Sequence, residues 1–167
     1  DLENVRARLV ACRNFLREKA LNEGFDFFLS LEQDVIPPAD VIERLLAWNK
    51  DACSALYFNE LEGPGKLRAV AYQQHGADEK GEPLVASMTI PECFPSRVFE
   101  VAHAGLGCML LSRKALEKIS FRFEEGKQAW DDVFFCMDAK ANGFTVFVDS
   151  HVACMHWFNE RFHASSK

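Results

Sequence analysis

Two carboxylates one residue apart, Glu32 and Asp34, follow the apolar run of FDFFLSLEQDVIPPAD, residues 25–40. In extended backbone, residues i and i+2 point to the same side, so both acids could face one site if strand geometry persists to Asp34. Like charges held together call for a cation. The hard ions Mg2+ and Mn2+ prefer carboxylate oxygen, and one or two carboxylates plus substrate phosphates are a usual way to hold them. The alternative is a solvated strand end with two ordinary acids.

A second pair of acids, Asp131 and Asp132, follows Trp130 in WDDVFF. At the start of an apolar helix, acids are expected merely to cap it and to complement its dipole. The functional alternative is that one caps while the other projects into a site as a general base or metal-shell group. Trp130 could present a flat apolar face to a sugar ring or belong to the core. His156 lies in CMHWF, where a lone histidine is either a satisfied core residue or a ligand, and imidazole suits Mn2+ better than Mg2+. His151 stands on the opposite face of an ideal strand, so the two make no simple shared site. His103 and His75 carry less information.

These residues need elements to place them. Leu2, Val5, Leu9, Cys12 and Leu16 recur at steps of three and four, predicting one apolar face of a helix that runs to about Asn22 and stops at Gly24. Residues 25–31 read as a strand buried on both faces. Pro38 suits the first turn of a helix carrying Val41, Ile42, Leu45, Leu46 and Trp48, closed by Asp51. Residues 52–58 and, after a GPG turn, 67–73 read as strands, and 74–83 as a mobile surface loop. Strands are also expected in LVASMTI, RVFEVAH and the glycine-flanked GLGCMLLS. A short helix capped by Ser112 follows, then an open stretch over FRFEEGKQAW, then a helix over residues 131–142 ending before Gly143. FTVFVDS and VACMHWF close the chain as strands. Helices alternating with buried strands predict an α/β domain with a mixed sheet, whose ligands should lie beyond the carboxyl ends of the strands.

At 167 residues and 49% apolar, the chain reads as one domain, residues 1–167, with one core. Its net charge is -6 and its Lys and Arg are scattered, so it presents no basic stripe for nucleic acid. No apolar run reaches the roughly 18 to 20 residues of a membrane span, and no signal peptide is evident. Six cysteines without a CxxC pair read as buried reduced thiols, which fits a soluble, cytoplasmic protein. The chain opens at Asp1 within a helical pattern, which reads as a fragment or a processed product.

Taken in order, LEQDVIPPADVIERLL, AGLGCMLLSRKALEKI, WDDVFFCMDAKANGFTVFVDS and MHW resemble the nucleotide-sugar glycosyltransferases of the GT-A fold, in particular family-2-like bacterial and phage members. The resemblance runs from about Arg13 and Asn14 onward. It implies a GT-A-like mixed sheet flanked by helices, truncated at its N-terminus, since a first strand and helix that recognise the base would lie upstream. It further implies Mn2+ or Mg2+ as cofactor and a UDP- or GDP-sugar as donor, with an unspecified acceptor hydroxyl. Asp34 would bind the metal, His156 would complete its coordination, and Glu32 would stand near the ribose or the metal's water shell. Asp132 would be the base of an inverting reaction, with Asp131 in place of the usual glutamate. Gly105 and Gly107 would let the backbone approach the donor sugar, and Trp130, Arg13 and Asn14 join the substrate-binding set.

Two departures from the pattern frame the rival readings. Glutamate replaces the first aspartate of D-x-D, and the upstream strand and helix are not in this sequence. One reading is therefore an active metal-dependent transferase, complete as it stands or completed by a missing segment in trans or by a homo-oligomer. Another is a noncatalytic binding or assembly domain on the same fold. A metal-dependent hydrolase is the third, without a compact ligand motif such as HExxH to support it.

Overall fold

The computed structural model describes residues 2–61, 63, 65–81, 83–158 and 161–163. Helix α1 (Leu2–Asn22) precedes β1 (Phe27–Leu31), β2 (Val35–Ile36), α2 (Val41–Ala47), β3 (Ala52–Leu56) and β4 (Phe58–Asn59). Next come β5 (Arg68–Ala69), β6 (Ala71–Ala77), β7 (Pro83–Ser87), β8 (Val98–Val101), β9 (His103–Ala104) and β10 (Cys108–Ser112). Helices α3 (Arg113–Lys118) and α4 (Asp131–Ala141) lead to β11 (Val146–Ala153), β12 (Met155–Phe158) and β13 (Arg161–His163). Pro64, in the expected GPG turn, lies outside the described residues.

The main sheet has the order β1-β10-β3-β11-β8. Only β3 and β11 pair in parallel; the other neighbours are antiparallel, so the sheet is mixed, as the element order predicted. Because β10 reverses direction between β1 and β3, the strands β1, β3 and β11 run the same way. Their carboxyl ends lie along one edge, where the chain also enters β10 through Gly105–Gly107. Side chains alternate across this sheet. Ala52, Leu56, Met109 and Leu111 enter one core, in which Phe121 and Phe135 stack at 5.1 Å. Cys53, Ala55, Cys108 and Leu110 enter the other, under α2.

Three expectations need correction. The first concerns β1, which is an edge strand paired antiparallel to β10 and half-buried over most of its length, not a strand buried on both faces. The second is the loop at 74–83, most of which is hairpin: β6, whose Gln74 and His75 are exposed, runs to Ala77 and pairs with β7. The third is the face of α1. Leu2, Val5 and Leu16 are 62%, 42% and 46% exposed, Cys12 is exposed, and the buried residues are Arg6, Arg13 and Ala20.

The physical reason for that inversion is hydrogen bonding. Arginine stems pack along apolar surface while their heads reach polar groups. Arg6 donates to the carbonyls of Lys127 and Gln128, both at 2.7 Å, and Arg17 donates to those of Leu116 and Ile119. Asn14 donates to the Phe121 carbonyl at 2.8 Å and accepts from the Phe121 N–H at 2.9 Å. Helix α1 thus fastens the irregular stretch between α3 and α4, which would otherwise leave its carbonyls unpaired. Ser112 caps α3 as expected, accepting from the Ala115 N–H at 3.2 Å. Among the described residues, no helix is long and apolar enough to cross a membrane.

Candidate functional site

The strand bearing the first acids ends at Leu31, and a turn closed by the Val35 N–H donating to the Glu32 carbonyl at 3.1 Å follows at once. Extended geometry therefore does not persist to Asp34, and the two acids serve different partners. Glu32 accepts from Arg13 Nη2, while Asp34 faces His156.

Arg13 is the hub on one side. Its Nη1 donates to Ser30 Oγ at 2.6 Å, and its Nε lies 2.7 Å from Asp131 Oδ2, too poorly aligned for a hydrogen bond but close enough for an ion pair. Ser30 in turn donates to the Leu106 carbonyl at 2.7 Å. With Arg13 and Asp131 both buried, one guanidinium ties α1, the end of β1 and the start of α4 together. Arg13 consequently positions the acids; its nitrogens, like the amide of Asn14, are directed at protein groups. Burial raises the Asp131 pKa, and the charge of Arg13 opposes that rise.

Asp132 is held differently. Its Oδ1 accepts from the Val133 N–H at 2.7 Å, and the N-cap position is Trp130, which makes no side-chain cap bond. Burial, reinforced by the charges of Asp131 and Glu32, pushes the Asp132 carboxyl up to about 6. A carboxylate tuned toward neutrality beside a helix start is suited to accept a proton near physiological pH. Trp130 is 39% exposed and carries the Arg6 guanidinium 4.9 Å from its ring centre, so its ring is neither free on both sides nor a core residue.

Gly105 and Gly107 have a use that the sequence did not reveal. A Cβ at Gly105 would stand 2.0 Å from Tyr57 Oη, and one at Gly107 2.7 Å from it. Tyr57 is buried and accepts from the Gly107 N–H at 3.1 Å. The close approach these glycines permit is that of a tyrosine ring; a role toward a donor sugar would come on top of it. Burial, with the charge of Glu32 adding to it, raises the Tyr57 pKa well above its ordinary value. Gly105→Ala is expected to destabilise the fold by about 1–3 kcal/mol through overpacking. Adding Tyr57→Phe should recover part of that loss, as urea unfolding of the single and double variants would show; a Gly105→Ala chain as stable as the parent would contradict it.

On the other side, β2 and β12 pair antiparallel with His156 opposite Val35, and the Trp157 N–H donates to the Asp34 carbonyl at 2.7 Å. The buried His156 ring has Nδ1 2.8 Å from the Phe58 carbonyl, which can only accept, so Nδ1 carries the hydrogen. That bond turns Nε2 toward Asp34 Oδ2, 3.6 Å away. Metal-binding histidines are commonly oriented in this way, with the second ring nitrogen bonded to a carbonyl. Tyr57 meets the same imidazole edge-on at 5.3 Å and so links the two halves of the site. An open cavity of about 320 Å3, lined by Gln33, Asp34, Ile36 and Trp157, adjoins the pair. Among the described residues, no three His, Cys, Asp or Glu side chains converge on one point, and Glu32 stays with Arg13. The set expected to share one metal is thus Asp34 and His156 together, with Glu32 apart.

Ser30, Tyr57 and the positioning role of Arg13 escaped sequence reasoning. One signal was available: Arg6, Arg13 and Arg17 recur at steps of seven and four, the spacing of one helix face.

Comparison with protein-family models finds no match, and comparison with curated proteins finds no relative. Among solved structures 13 chains match, and one of them is the protein A197 from STIV. It is similar over 92% of this chain and 69% of its own length, with a TM-score of 0.61 and 20% identity, a likeness that shows the α/β fold and nothing further.

Proposed function

We propose that this chain is a GT-A-type glycosyltransferase that moves a sugar from a UDP- or GDP-sugar to an acceptor hydroxyl with the help of Mn2+ or Mg2+. The observation that carries this reading is the pair at the carboxyl edge of the sheet: His156, fixed through Nδ1 by the Phe58 carbonyl, directs Nε2 at the Asp34 carboxylate. These two residues would hold the ion. When bound, such an ion neutralises charge on the leaving diphosphate.

The chain's own groups supply the rest. Asp132, with its pKa near 6, is ionised at neutral pH and in an inverting reaction accepts the proton of the attacking hydroxyl. Arg13 offsets part of the charge of Glu32 and Asp131, whose remaining repulsion helps to raise the Asp132 pKa. A second reading, a noncatalytic domain on the same fold, draws support from that same arginine, since it engages two of the four acids, Glu32 and Asp131.

Calorimetry with UDP- and GDP-sugars separates the two. Binding is expected with Mn2+, and the same titration in Asp34→Ala is expected to weaken at least tenfold. Binding of equal strength in chelator, or unchanged in Asp34→Ala, would remove Asp34 from the site.

A further inference from the structure

Two adjoining cavities of about 280 and 330 Å3 lie between α4 and the β6–β7 hairpin and share Gln74, Ala102, Cys136 and Lys140. The second lies at the lower end of the range of small-molecule sites, about 300–1,000 Å3, and the first just below it. Gln73, Gln74, Glu100, Lys140 and Thr145 supply polar walls, Ala102 and Cys136 an apolar floor, and His103 lines the second cavity. Asp132, Cys136 and Lys140 follow one another at steps of four on α4, so they form one stripe along the helix. Along that stripe Asp132 stands at one end of α4 and the groove at the other, with Cys136, buried beneath the Ala104 carbonyl, between them. Tyr72 belongs to the same surface: its ring lies 6.5 Å from that of His103, and the charge of Asp132 acts on both Tyr72 and Cys136.

The lining selects a ligand chemistry. Lys140 and Glu100 balance each other in charge, and burial together with the nearby Lys140 favours the neutral form of His103. Neither an anion nor a cation is therefore drawn in. Among the described residues, no hydrogen bond or ion pair engages the Lys140 ammonium or the Gln73 amide. Amides and the Thr145 hydroxyl both donate and accept, as sugar hydroxyls do, and the Ala102 and Cys136 floor suits the C–H face of a sugar ring. We propose that this groove binds the acceptor, an uncharged oligosaccharide whose reactive hydroxyl is delivered along α4 to Asp132. The proposal rests on the glycosyltransferase reading for the role of the ligand, but the binding itself does not require a donor.

Saturation-transfer NMR on the whole chain tests it, with a panel of neutral oligosaccharides built from glucose, galactose, mannose and N-acetylglucosamine. Saturation should reach at least one of them, vanish in Ala102→Phe, which fills both cavities, and fall at least threefold in Gln73→Ala. Donor binding with Mn2+ should be unchanged in both variants, and the milder Gln73→Ala carries the test if Ala102→Phe does not fold. No saturation of any oligosaccharide, or an undiminished signal in both variants, would overturn the groove. Oligosaccharide binding in a chain that binds no sugar nucleotide would uphold the groove and overturn the transferase reading, so the two failures are distinguishable.

Discussion

Replacing Arg13 with leucine is expected to cost about 3–5 kcal/mol of stability, the usual penalty for removing one partner of a buried ion pair. Asp131 is only 3% exposed, and without Arg13 its carboxylate would face the core with no counter-charge. The half-exposed Glu32 is left to water and adds little. In a chain of this size a loss of that order lowers Tm by roughly 10 °C. The double change Arg13→Leu with Asp131→Leu should recover most of it, because an apolar pair of similar volume often replaces a buried ion pair without loss. Thermal and urea unfolding of the three chains decides the point. A single variant within about 1 kcal/mol of the parent would mean that the pair is not desolvated as its burial indicates.

Asp132→Asn is expected to lower sugar transfer by about 100-fold to 10,000-fold, the range general bases contribute, and to leave the fold intact. With its carboxyl near pH 6, the rate at low substrate should climb about tenfold per pH unit below that point and level off above it. Stability should move the other way. The folded pKa lies above the ordinary value of 3.8, so between about pH 4 and 6 the native chain holds a proton that the unfolded chain has released. The contribution of Asp132 to stability is thus fully present below about pH 4 and is lost as pH rises through 6. Asp132→Asn should flatten that part of the stability profile and be no less stable than the parent at pH 7. A variant that keeps full transfer activity would reduce Asp132 to a residue of the first helical turn.

Much of this arrangement was legible because it is local. The apolar run of β10, the Ser112 cap of α3, and the acids opening α4 with Gly143 closing it follow from backbone and side-chain chemistry within a few residues. What was not legible depends on partners far away in sequence. The face of α1 was misread because hydrophobic periodicity cannot see the carbonyls of residues 116–128, which draw Arg6, Asn14 and Arg17 inward. The two acids of LEQDV were expected to act together, yet a turn closed within four residues separates them, and only the pairing of β2 with β12 brings His156 to Asp34. The acids were found from the sequence; the positioning role of Arg13, and Tyr57 altogether, were not.

The most direct measurement is release of nucleoside diphosphate from UDP- and GDP-sugars by the purified chain in Mn2+. The glycosyltransferase reading predicts release that ends on chelation, falls at least 100-fold in Asp132→Asn, and is lost in Asp34→Ala and His156→Ala while all three variants stay folded. Turnover that persists in chelator, or no release from any UDP- or GDP-sugar by a folded, Mn2+-loaded chain, would contradict it.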